Sequence, residues 1–99
     1  MNNWIINAMP TLISVIQHLT DKGIKIISVD TNSNETFRIH CSTNDEFKIW
    51  AEIRNAEVDD HWNTNSEDNR YPYQITVWMD SIMVFGLMGE EEYREWRGE

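Results

Sequence analysis

Hydrophobic positions recur along this chain first with a helical period and then with a period of two. Leu12, Val15, Ile16 and Leu19 stand at i, i+3, i+4 and i+7, so a helix from Pro10 to Lys22 places all four on one face. Pro10 suits a first helical turn, and Gly23 stands where a C-terminal cap is wanted. Trp4 to Met9 reads as an earlier turn that the proline bends or ends. The segment IKIISVD, residues 24–30, then reads as a strand, with TNSNE as its turn. In TFRIHCS, Phe37, Ile39 and Cys41 fall on one side of a second strand, and Arg38 and His40 on the other. TND reads as another turn. In EFKIWAEIR, Phe47, Ile49, Ala51 and Ile53 alternate with Lys48, Trp50, Glu52 and Arg54, which predicts a third strand with one buried face and one wet face.

Periodicity is lost over residues 55–70, where Asn, Asp, Glu and Ser dominate, so a loop is expected there. YPYQITVWMD resumes the alternation, with Tyr73, Ile75, Val77 and Met79 inward and Gln74, Thr76, Trp78 and Asp80 outward. SIMVFGLM is apolar at both phases and reads as a central strand or a buried segment. GEEEYREWRGE predicts a short C-terminal helix, its carboxylates in the first turn and Arg94 and Arg97 near the end, as the helix dipole favours. The expected order is α-β-β-β-loop-β-β-α. This is an α+β domain across residues 1–99, an antiparallel sheet of about five strands with an N-terminal helix and a short C-terminal helix packed on one face.

Charge changes this picture from an architecture to a candidate surface. The 99 residues carry a formal net charge of −9, but residues 1–54 hold six acids against five bases and residues 55–99 hold eleven against three. Such a field repels nucleic acid and anionic membrane and attracts basic protein surfaces. The stretch EVDDHWNTNSED packs Glu57, Asp59, Asp60, Glu67 and Asp68 around His61 and Trp62. A second run, Glu90, Glu91, Glu92, Glu95 and Glu99, closes the chain. Crowding like charges raises self-repulsion, so a compensating use as a docking surface is weighed here against ordinary solubility.

Other chemistry is weaker. Asp59, Asp60 and His61 are suitable metal ligands by type, but adjacent residues on a loop fix no coordination geometry, so no metal is expected. His40 and Cys41 look like half of a nucleophile–base pair, yet neighbours on a strand point to opposite faces. No phosphate loop, GxSxG, HExxH or CxxC occurs, and no cofactor or enzymatic activity is expected. Trp50 and Trp78 both fall on the polar phase of their strands. Either the C-terminal helix covers them through Tyr93 and Trp96, or they are exposed anchors for a partner. Arg38, Lys48 and Arg54 on the same expected face suggest base stacking, which the overall charge opposes.

The single cysteine fits a reducing compartment, and the opening MNNWIINAMP has neither a basic n-region nor the apolar run of a signal peptide, so a cytoplasmic protein is expected. LTDKGIKIISVD followed by FRI resembles the helix-then-strand opening of some bacteriocin immunity proteins; the similarity covers those residues only and carries no residue roles. The leading expectation is a small acidic inhibitor or antidote that blocks the basic nucleic-acid-binding surface of a nuclease or effector complex, without binding nucleic acid or membrane itself. Its settings would be a phage anti-defence protein, such as an anti-CRISPR or anti-restriction inhibitor, or a nuclease-toxin immunity protein. The residues expected to meet the partner are Glu57, Asp59, Asp60, Trp62, Glu67, Asp68, Trp50, Trp78, Glu90, Glu91, Glu92 and Glu95. The alternatives are an adaptor assembling through a Trp50–Trp78 sheet face and a metal-dependent hydrolase.

Overall fold

The N-terminal helix begins well before the proline. In the computed structural model, which describes residues 3–60 and 71–98, α1 runs Trp4–Asp21 with Pro10 inside it. Its first turns are held by packing: Trp4 meets Phe37 in a tilted contact with ring centroids 5.1 Å apart, and Ala8 lies against the core. Leu12, Val15 and Leu19 are buried as the spacing predicts. The helix ends where Gly23 enters the left-handed region at φ 79°. The Gly23 and Ile24 amides there donate to the carbonyls of Thr20 and Leu19, both at 3.0 Å.

The chain continues as β1 (Ile26–Thr31), β2 (Phe37–Cys41), α2 (Asp45–Ile53), β3 (Glu57–Asp59), β4 (Tyr73–Met79), β5 (Ile82–Met88) and α3 (Glu90–Arg97). The α+β class, the number of strands, four of their positions and both terminal helices agree with the sequence reading. β1 and β2 form a hairpin whose turn is closed by the Asn32 side chain, which accepts from the amides of Asn34 and Thr36 at 2.9 and 3.2 Å.

The third element departs from expectation. EFKIWAEIR is helical rather than extended. Asn44 accepts a hydrogen bond from the Phe47 amide at 2.9 Å, and Asp45 and Glu46 occupy the first turn, so what reads as a turn is an N-cap. The change of period keeps Phe47 and Ala51 inward, turns Trp50 in and turns Ile49 and Ile53 out. Phe47, Trp50 and Ala51 are buried, while Ile49 and Ile53 are exposed. The fifth strand is recovered from the stretch expected as loop, since Glu57–Asp59 pairs antiparallel with β4.

The sheet order is β1-β2-β5-β4-β3. All neighbours are antiparallel except β2 and β5, which run parallel, so the sheet is mixed rather than wholly antiparallel. α2, β3 and β4 intervene between those two strands and return the chain in the same direction. β5 is central. Ile82, Val84 and Met88 lie under the helices, and Met83, Phe85 and Leu87 are half-buried on the opposite face. Between the two sits Gly86. A Cβ there would lie 2.7 Å from Thr43 Cγ2 and 3.0 Å from the Phe47 ring, so the missing side chain is what lets α2 press onto the sheet.

Candidate functional site

The acidic residues are distributed by two elements. α3 starts after Gly89 with Glu90, Glu91 and Glu92 in its first turn and ends at Gly98, whose φ of 76° forms the left-handed cap. It is fastened through one side: Tyr93 stacks on Tyr73 with centroids 3.9 Å apart, and Trp96 packs against the core under the guanidinium of Arg97, 4.3 Å from its ring. Glu92 faces the same way. It accepts from Thr43 Oγ1 at 2.8 Å and pairs with Lys48 Nζ at 3.1 Å, which ties α3 to α2. Glu90 is paired with Arg94 one turn on. Glu91 and Glu95 remain on the outer side, one turn apart, both exposed and with no ion pair among the described residues.

β3 supplies the other acids. Val58 stands opposite Ile75 and leans to the core, so Glu57 and Asp59, opposite Thr76 and Gln74, project from the face of the sheet that the helices leave open. Asp60 follows, exposed. Gln74 follows Tyr73, which pairs with Met88 and stacks on α3, so Asp59 lies toward the end of the sheet at which α3 begins, but on the face opposite that helix. Trp62, Glu67 and Asp68 lie outside the described residues, as does His61.

The two tryptophans part company. Trp50 is only 5% exposed and belongs to the core, because α2 is a helix and turns that position inward. Its Nε1–H donates to His18 Nε2 at 3.0 Å. Trp78 is 52% exposed on the open sheet face. No shared Trp50–Trp78 face exists, and α3 covers neither in the manner expected, since its Tyr93 and Trp96 pack on the helical side. The open face carries Trp78, Thr76 and Gln74 from β4, Met83, Phe85 and Leu87 from β5, and Arg38 and His40 from β2. His40 stacks on Phe85 at 4.8 Å with rings nearly parallel, and Arg38 is committed to Asp30 through two 2.8 Å hydrogen bonds. Lys48 and Arg54 belong to α2 and its cap on the other side, so the three bases do not line one sheet face.

His40 and Cys41 point apart as the strand geometry requires. Burial pushes the Cys41 thiol up to about 12, and burial also lowers His40 against the pull of Asp30. A thiol so protonated is a poor nucleophile. Among the described residues no three His, Cys, Asp or Glu side chains converge to hold a metal ion, and no helix is long and apolar enough to cross a membrane.

The sequence reading missed one grouping entirely. His18 and Lys22 from the end of α1 meet Glu46, Ile49, Trp50, Ile53 and Arg54 from α2 around a cleft of about 390 Å³. With Trp50 assigned to a strand, these residues had no reason to converge; the i, i+4 spacings of His18 with Lys22 and of Ile49 with Ile53 were the available signal. Comparison of the chain with protein-family models, with curated proteins and with solved structures finds no match.

Proposed function

We propose that this protein is an acidic, non-enzymatic inhibitor that occupies the basic nucleic-acid-binding surface of a partner protein in the cytoplasm. The observation that supports the reading is the exposure of carboxylates on two elements, Glu91 and Glu95 on the outer side of α3 and Glu57, Asp59 and Asp60 on β3 and its exit. Carboxylates standing on a strand and a helix at the border of a small domain can meet a cleft that normally holds phosphates, and the −9 net charge would steer the encounter. Within α3, Glu90 and Glu92 contribute less than Glu91 and Glu95, because their charges are already satisfied by Arg94, Lys48 and Thr43. The partner is a nuclease or a nucleic-acid-guided effector complex. The fitting settings are a phage anti-defence protein, such as an anti-CRISPR or anti-restriction inhibitor, or an immunity protein that neutralises a nuclease toxin.

Capture of host proteins on the immobilised chain at low salt, followed by a salt gradient, tests the reading. A basic nucleic-acid-binding protein should elute, its activity should fall on adding the free chain, and the combined reversal Asp59→Lys, Asp60→Lys, Glu91→Lys should abolish capture. A partner retained equally by that variant would overturn the proposal. The exposure of Trp78 on the open sheet face favours a second reading, an adaptor that assembles through that face. It predicts that Trp78→Ala disrupts the complex while salt changes little.

A further inference from the structure

We propose that the cleft between the C-terminal turn of α1 and α2 binds a small amphiphilic carboxylate, a monoanion carrying an apolar tail. Its walls are apolar. Ile49 and Ile53, one turn apart on α2, are 60% and 78% exposed, beside the indole of Trp50 that forms the inner side. Two large aliphatic side chains this bare in a domain of this size leave surface that an apolar tail would cover, with the gain that accompanies removing such surface from water.

The polar groups of the cleft select the head. Among the described bases, Arg38, Lys48 and Arg94 are each joined to a carboxylate, whereas Lys22 and Arg54 have no carboxylate partner among the described residues and both open onto this cleft. Arg54 is held in place, its guanidinium 5.8 Å from the Trp50 ring and Nη2 3.5 Å from His18 Nε2. Indole nitrogen is a donor only, so His18 Nε2 is the acceptor in the 3.0 Å contact with Trp50, and its neutral ring carries hydrogen on Nδ1. Burial, then the charges of Arg54 and Lys22, lowers the basicity of His18, and Asp21 opposes them as the smallest of the four influences, within a molecule whose total charge is −9. Glu46 lies on the rim. Of the charged groups that line the cleft, two are cations and one is a carboxylate, with Asp21 acting on His18 from outside the lining, which suits a monoanion better than a dianion. The guanidinium fork and the ammonium supply charge-assisted hydrogen bonds to a carboxylate.

The test titrates the full chain with octanoate below its micellar range, following the Trp50 indole ¹H–¹⁵N resonance, assigned as the one of five indole signals lost in Trp50→Phe. Calorimetry runs in parallel, with octanol and octylammonium as controls. Octanoate should shift that resonance saturably, octanol should bind about tenfold more weakly, and octylammonium weaker still. Lys22→Gln with Arg54→Gln should weaken octanoate about tenfold, and Ile49→Ser with Ile53→Ser by a similar factor. Glu46→Gln, which leaves the packing intact, should tighten it severalfold. Absence of a saturable shift, equal or tighter binding of octanol or octylammonium, or an affinity indifferent to both Lys22/Arg54 and Glu46 substitution would each overturn the proposal.

Discussion

At Gly86 the central strand lies directly against the Thr43 and Phe47 side chains, and the contact shows how much one absent side chain permits. Alanine there would place a methyl 2.7 Å from Thr43 Cγ2 and against the Phe47 ring, which is fully buried and cannot swing away. Gly86→Ala should therefore lower stability by about 1–3 kcal/mol, read as a fall in the urea midpoint with unchanged slope. The histidines make a second prediction. Burial lowers both His18 and His40 below their ordinary value of 6.5, so the unfolded chain binds more protons than the native one once the pH falls to that value. Stability should be level above neutrality and decline as pH drops through about 6.5, and a urea midpoint that rose between pH 7.5 and 5.5 would contradict these placements.

At the scale of elements, α2 separates what was legible in the sequence from what was not. The alternation of Phe47, Ile49, Ala51 and Ile53 is real, but nine residues satisfy a period of two and a period of 3.6 about equally well. The cap decided it, because Asn44 before two acids starts a helix. β2, β4 and β5 were readable because each buries alternate residues on one face, and β1 because it is rich in Ile and Val although only Ile26 is half-buried, whereas β3 is three residues long and takes its extended form from pairing with β4. Two experiments expose the difference. Asn44→Ala should cost roughly 1 kcal/mol of stability through the lost cap. Trp50→Ala should destabilise by about 3–5 kcal/mol as a core deletion, while Trp78→Ala, at an exposed position, should stay within about 0.5 kcal/mol. Similar losses at the two positions would contradict the inward turn of Trp50.

At the scale of the whole molecule, charge and fold are partly decoupled. The excess of acids in the second half was visible in composition. Which carboxylates stay available was not, because that depends on pairings between elements distant in sequence. Glu92 is fastened to Thr43 and Lys48 of another segment, Glu90 is joined to Arg94, and Glu91 and Glu95 are left facing outward. The cleft beside Trp50 was invisible for the same reason, since its two walls are brought together only by the packing of α1 against α2. Recognition through the outward carboxylates is the proposal on which the function rests. The most direct test is the affinity of a captured partner for the wild-type chain and for Glu91→Lys/Glu95→Lys, measured between about 50 and 200 mM salt. Steep weakening of the wild type with salt, and a large loss in the variant at the lowest salt, is the predicted result. An affinity flat across that range and unchanged by the two reversals would contradict it.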